Sequence, residues 1–258
     1  MTEFALRPVR PADREELIKI FEASFGDGEA FVRELLSPEL LSSACCGEIE
    51  GRAKALMLAF HGQRWGGRTY SYLYALCTAP ESRGLGLGKA LAEYSVRRAL
   101  ELGADGAFLR AGDPGLQGWY ESMGALAAAP AAPAKLVPDT ASEKAFEISA
   151  RQYAAIRKGD WELTAELLEA QACIHRHYGG AFLRLGDDCL CAEKREYGVL
   201  IRELCASEPG PILAAAAEHF SVGELYILSP DADGVPSLYM PPLPDSVLPE
   251  APFLFPLD

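Results

Sequence analysis

Residues 79–94 read APESRGLGLGKALAEY, and the alternate glycines Gly84, Gly86 and Gly88 constrain the fold more than any other stretch of the chain. Glycine loses more backbone freedom on folding than any other residue, so three within five positions mark backbone shapes that other residues supply poorly. An apolar, strand-like run, YSYLYALCT, precedes them. A helical pattern with one apolar face, LGKALAEYSVRRALELG, follows and closes at Gly103. The glycines therefore sit between a strand and the mouth of a helix.

A helix start presents unpaired N–H groups and the positive end of the helix dipole, and glycine lets an anion come close to both. Arg83 places a guanidinium beside the same point and Lys89 an ammonium. The expected ligand carries phosphate; the plainer alternative is a glycine-rich turn that binds nothing. The loop is not G-x-x-x-x-G-K-[ST]. It also differs from the G-x-G-x-x-G of dinucleotide folds, where the loop follows the first strand of a βαβ unit.

Charge narrows the partners. The chain has 258 residues with 24 basic and 37 acidic side chains, a net −13, which argues against a general nucleic-acid binder. Residues 1–150 carry 16 basic and 20 acidic groups, and residues 151–258 carry 8 and 17, so an anionic cofactor is expected on the first half. No apolar run approaches the ~20 residues of a membrane span. MTEFALRPVRPADREEL lacks a leader's apolar stretch, so a cytoplasmic chain with no membrane partner is expected. The seven cysteines have no metal-ligand spacing. Cys45, Cys46, Cys189 and Cys191, with His175 and His177, read as core residues, and no metal is expected.

Periodicity supplies the elements. FALRPVR reads as a short strand, PADREELIKIFEASF as a helix begun at Pro11, and GEAFVRELL as a second helix stopped near Pro38. ACCGEIEGRAKALMLAFHG and RTYSYLYALCT read as strands around a QRWGG turn. DGAFLRAG reads as a strand and PGLQGWYESMG as a short helix. Residues 131–144, rich in alanine and proline, read as a connector between a domain over 1–130 and another over 145–258. The end, PSLYMPPLPDSVLPEAPFLFPLD, reads as an extended segment lying on the body of the fold.

Taken with its surroundings, the loop resembles the acetyl-CoA loop of the GNAT superfamily of N-acetyltransferases. The [Q/R]-x-x-G-x-[G/A] pattern is met by Arg83, Gly86 and Gly88. About 36 residues on, GWYESMGA resembles the family's second signature, with Trp119 in place of its phenylalanine and Gly124 as its glycine. The resemblance covers residues 3 to 128. It implies an α/β fold with a mixed, splayed central sheet flanked by helices, and acetyl-CoA in the opening between two strands. The amides of Arg83, Gly84, Leu85, Gly86, Leu87, Gly88 and Lys89 would hold the pyrophosphate. The backbones of Leu76, Cys77 and Thr78 would pair with the pantetheine arm as an added strand does, and an N–H at that strand's end would polarise the thioester carbonyl.

The implied activity is acetyl transfer to a primary amine of a small molecule or peptide, by direct attack in a ternary complex. Tyr120 matches the tyrosine that protonates the departing thiolate in many members; otherwise it is a core tyrosine. The chain departs from the family where a glutamate base often stands, since YSYLYALCT holds no carboxylate. A water relay, Glu22 or Asp27 could substitute. Tyr70, Tyr72 and Tyr74 either line the acceptor pocket or pack beneath helices. A covalent Cys77 route lacks a neighbouring histidine to activate the thiol. A non-catalytic CoA- or acyl-CoA-binding regulatory module, or transfer of another acyl group, is the alternative.

The second half reads as a worn copy. LCTAPESRGLGLGKALAEYSV (76–96) and LCASEPGPILAAAAEHFSV (204–222) share their beginnings and endings. The second is shorter within the glycine loop, where only Gly210 survives and Arg83 has no counterpart. A second, smaller GNAT-like α/β half without a phosphate cradle is expected.

Overall fold

The computed structural model describes residues 3–112, 114–140, 143–231 and 234–240. The chain divides into two compact units: residues up to Ala127 with 238–240, and residues 128–237. In the first, β1 (Ala5–Pro8) leads through a turn of 3-10 helix to α1 (Arg14–Phe25), α2 (Glu29–Leu35) and the single turn α3 (Pro38–Leu41). Then come β2 (Cys45–Ile49), β3 (Arg52–Trp65), β4 (Arg68–Thr78), α4 (Leu87–Glu101), β5 (Gly106–Arg110) and α5 (Pro114–Glu121). β1 to β4 are antiparallel neighbours in sequence order, and β5 joins β4 in parallel.

Turns sharpen the strand boundaries. The first strand-like run divides at Glu50 and Gly51, both at positive φ, into β2 and β3. Gln63, Arg64 and Trp65 belong to β3, so the expected five-residue turn shrinks to Gly66 and Gly67, again both at positive φ. Two glycines there suit the tight turn whose twist matches that of the flanking strands.

In the second unit, β6 (Leu126–Leu136) is followed by β7 (Phe146–Glu147), α6 (Ala150–Ile156) and α7 (Ala165–His177). β8 (Ala181–Leu185), β9 (Asp188–Arg195), β10 (Gly198–Cys205), α8 (Pro209–Phe220) and β11 (Leu225–Pro230) complete it. β7 to β10 are antiparallel in sequence order and β11 pairs with β10 in parallel, the same order as β1 to β5. Coming last, β12 (Val235–Met240) is the neighbour of β5, and its Leu238 and Met240 lie in the first unit's core.

The expected connector over 131–144 is in part a strand. Residues 131–136 run antiparallel to β11, from Ala131 opposite Pro230 to Leu136 opposite Leu225. The prolines lack donors but still accept: Pro130 O takes a bond from Asp231 N. Small side chains suit the crowding. Ala131 is buried with Leu200 and Leu228, and the Gly234 backbone lies so close to Ala131 that a Cβ there would collide with it. Of the extended segment expected over 236–258, residues 236–240 belong to β12 and the rest lies outside the described residues.

The shared Ser-Val ending of the two similar stretches is not equivalent in the fold. Ser95 and Val96 lie inside α4, whereas Ser221 is the left-handed residue that ends α8. The shared Leu-Cys does occupy matching places at the ends of β4 and β10.

Candidate active site

β4 is where the site begins. Its parallel pairing with β5 covers only Tyr70–Gly106, Ser71–Ala107 and Tyr72–Phe108. Beyond Tyr72, β4 acquires an extra residue relative to β3: the register slips between Leu56–Cys77 and Leu58–Tyr74, and Ala75 adopts φ 54°. A bulge bends its strand, and a left-handed alanine costs about 1–2 kcal/mol. The bulge thus stands where the β4–β5 pairing has ended, leaving 73–78 supported from the β3 side.

Antiparallel ladders alternate. Ala79 N donates to Lys54 O at 2.8 Å, and Cys77 lies opposite Leu56, so residues 77 and 79 turn their backbone groups toward β3. Leu76 and Thr78 turn theirs to the other side, where β5 would continue. Thr78 O accepts from Arg83 Nε at 3.2 Å, which ties the loop to the end of the strand. Lys54 Nζ reaches Glu81 Oε1 at 2.7 Å and braces the turn between them.

Gly84 and Gly86 have φ 78° and 79°, and a Cβ on either would meet nothing within 4 Å. Their role is conformational: L side chains resist this backbone shape. Gly86 is the residue from which α4 starts. No side chain caps that start and no acid lies in its first turn, while Ala90 N donates to Gly86 O at 3.1 Å as the first helical bond. The N–H groups of Leu87, Gly88 and Lys89 precede that bond and point outward from the helix mouth. The Leu87 side chain is buried and pins the mouth to β2, where a Cβ on Gly47 would stand 2.5 Å from Leu87 Cδ1. Gly88 abuts the strand end, since a Cβ there would lie 3.4 Å from Thr78 Oγ1. Arg83, Leu85 and Lys89 are exposed, and Lys89 Nζ is 4.0 Å from Glu93 Oε1.

Tyr120 is carried on α5 and buried among the residues that pack α4 onto the sheet, a cluster that Leu76 and Trp119 also join. Burial pushes its hydroxyl up to about 12, and that hydroxyl has no hydrogen-bond partner among the described residues. α5 ends in a turn closed by Ala125 N to Tyr120 O at 3.1 Å, with Gly124 at φ 91°. The glycine that follows the aromatic pair is thus required by the backbone.

The model of the acetyltransferase (GNAT) family matches residues 11–125. Residues 11–125 are a GNAT acetyltransferase domain. The fold likeness extends further. A GCN5-related N-acetyltransferase from Kribbella flavida is 14% identical with TM-score 0.66, over 92% of this chain and 70% of that one. One from Anabaena variabilis is 15% identical with TM-score 0.65, over 92% of this chain and 72% of that one. No curated protein matches the chain. The family match thus covers the first unit, whose mixed sheet, antiparallel from β1 to β4 and parallel at β5, is that of the GNAT fold. Among the described residues no helix is long and apolar enough to cross a membrane.

The remaining candidates separate cleanly in this GNAT domain. Tyr70 and Tyr72 are core residues: Tyr72 stacks on Phe108 with centroids 5.1 Å apart, and Tyr70 meets Tyr239 edge-on at 6.3 Å. Tyr74 is half-buried, 6.0 Å from the Tyr72 ring. Cys77 is buried, and burial pushes its thiol up to about 12, the wrong direction for a nucleophile at neutral pH. Glu22 on α1 has its Oε2 closed off from solvent without a hydrogen-bond partner among the described residues. The bulge at Ala75 was not legible in the sequence, because alanine carries no signal for a left-handed residue.

Proposed function

We propose that the GNAT domain transfers the acetyl group of acetyl-CoA to a primary amine of a small molecule or peptide, by direct attack while both substrates are bound. The observation that carries this reading is the uncapped mouth of α4, built on left-handed Gly84 and Gly86 and set against the unpaired side of β4. Three outward N–H groups, a positive dipole end and Arg83 suit a pyrophosphate better than any neutral ligand. Acetyl-CoA would supply the thioester to be cleaved. Residues 83–89 would hold its diphosphate, and the backbones of Leu76 and Thr78 would align its arm as an added strand.

Tyr120 suits the acid role. Held up to about 12, its phenol keeps its proton throughout the neutral range and has one to give to a thiolate as the C–S bond breaks. An alkylamine, with a pKa near ~10.4, must lose a proton before it attacks. Glu22, directly or through water, is the carboxylate we assign to that step, because its Oε2 is satisfied by nothing else in the described residues.

Release of CoA from acetyl-CoA with a panel of amines tests the proposal. Turnover that depends on Tyr120 supports it. Tight acetyl-CoA binding with no turnover for any amine selects the regulatory-module reading, and turnover only with a longer acyl-CoA selects transfer of another acyl group.

A further inference from the structure

Seven cysteines are all present as thiols, and six of them are buried; Cys205, at the end of β10, is half-exposed. It is not alone. Cys189 lies directly opposite it in the antiparallel β9–β10 ladder. Opposed residues on such strands hold their Cα atoms about 4.5–5.5 Å apart, within the roughly 4.4–6.8 Å that a disulfide spans. The two side chains share one face of the sheet, and each thiol perturbs the other.

Other groups set the two sulfurs apart. Burial and the Glu203 carboxylate oppose a thiolate on Cys205, while the Lys158 backbone and the Arg157 guanidinium favour it. Glu203 is already committed to Arg157 and to Tyr153 Oη at 2.6 Å, which blunts that opposition. The contact with Cys189 draws the Cys205 thiol below its ordinary value and pushes the Cys189 thiol up. Exposure separates the roles: Cys205 is the partly exposed sulfur and the fully buried Cys189 sits behind it. The remaining thiols lack this combination: Cys191, for one, is fully buried with its Sγ 3.0 Å from His175 Nε2.

We propose that Cys205 and Cys189 are a redox-active pair, in which Cys205 meets the oxidant and Cys189 resolves the product into a cross-strand disulfide within the second unit. With a low-molecular-weight disulfide as oxidant, the Cys205 thiolate attacks one of its sulfurs and expels the other as a thiolate. Cys189 then gives its proton to solvent, attacks Cys205 Sγ and expels the second sulfur. Two protein thiols are oxidised to one S–S bond while one external disulfide is reduced to two thiols. A partly exposed thiol beside a resolving cysteine is the arrangement that reversible oxidation favours.

The test treats the native full-length protein with glutathione disulfide, quenches by acid, and maps cysteines by mass spectrometry without reduction. The expected product is a peptide pair linked through Cys189 and Cys205, lost on adding a thiol reductant. In Cys189→Ser, the expected product is a glutathione adduct that persists on Cys205. In Cys205→Ser, no modification of Cys189 is expected. A wild-type protein in which Cys205 stays reduced, carries only a stable adduct, or reacts after any other cysteine overturns the proposal. That wild-type map decides the matter even if a variant fails to fold.

Discussion

The helices α4 and α8 occupy the same place in two halves of one topology, and their mouths are chemically opposite. Each follows a strand with a bulge, at Ala75 in β4 and between Ile201 and Glu203 in β10. Each such strand pairs with its parallel neighbour over three residues, 70–72 with 106–108 and 199–201 with 225–227. α4 then opens from left-handed Gly86 with three outward N–H groups and Arg83 beside them. α8 opens from Glu208, with Pro209 and Pro211 in its first turn. Proline has no N–H, so two of the first three donors are gone. Asp188 Oδ1 accepts from Ser207 N at 3.2 Å and sets a second carboxylate at that mouth. The α4 mouth has the features that suit an anion, and the α8 mouth has those that oppose one. Splayed strands and a helix survive on apolar packing alone, whereas phosphate binding rests on a few backbone positions that proline and acid erase.

The largest expected effect tests whether the open mouth serves chemistry. Tyr120→Phe should lower kcat by about 10²-fold or more, the usual contribution of a positioned acid, while acetyl-CoA affinity changes little. The pH profile sharpens this. Because burial raises the Tyr120 hydroxyl to about 12, its proton is not lost until strongly alkaline pH. Activity should rise with pH as the amine acceptor deprotonates, with no fall attributable to Tyr120 below about pH 10. A wild-type profile that declines near neutrality, with Tyr120→Phe removing the decline, would break the assignment.

Next comes the backbone itself. Gly86→Val must hold a β-branched residue in left-handed backbone, at about 1–2 kcal/mol, or surrender the geometry of the amides. Acetyl-CoA affinity should fall about tenfold or more by calorimetry, since 1.4 kcal/mol is a factor of ten. The same change at Gly210, in the closed mouth of α8, should leave that affinity unaltered. Equal losses at both positions would abolish the contrast between the two halves.

What was legible beforehand follows the same division. The α4 mouth announced itself because glycine at positive φ has few substitutes, and so did Gly124 after α5. β6 was hidden because alanine and proline give no strand signal, although Ala131 is buried and Ala132, Ala134 and Leu136 alternate with more exposed neighbours. The return of β12 beside β5 is a pairing between distant parts of the chain, which no local pattern encodes. The buried carboxylates had no local signal either. Glu193 and Glu203 lie inside the second unit, each with arginine partners: Arg202 and Arg195 for the first, Arg157 for the second. Burial of a carboxylate is set by its partner across the fold, and that partner is invisible in a window of neighbouring residues.

A smaller effect is expected from Arg83→Ala. The guanidinium is exposed, so salt screens its attraction for phosphate, and the loss should be about three- to tenfold. The loss should shrink as ionic strength rises. Because Arg83 Nε also holds Thr78 O, the substitution Arg83→Lys separates the two roles. Lysine keeps the charge but lacks the planar fork that binds a carbonyl and a phosphate together. Recovery by lysine would make charge the whole of the contribution.

The finest test is Gly88→Ala, where stability and binding should part company. Gly88 lies in the first turn of α4 with ordinary helical backbone, so alanine should raise stability by up to about 1 kcal/mol and raise Tm accordingly. The new methyl would stand 3.4 Å from Thr78 Oγ1, close to ordinary contact, so the strand end needs little adjustment. If glycine at 88 were there only for folding, a more stable protein would bind acetyl-CoA at least as well. If a ligand comes down onto the Gly88 amide, the same methyl sits in its path and affinity falls, by about two- to fivefold, while Tm rises. Opposite movement of the two quantities would mark position 88 as shaped by the ligand, and α8, whose first turn holds Pro209 and Pro211, as a helix released from that demand.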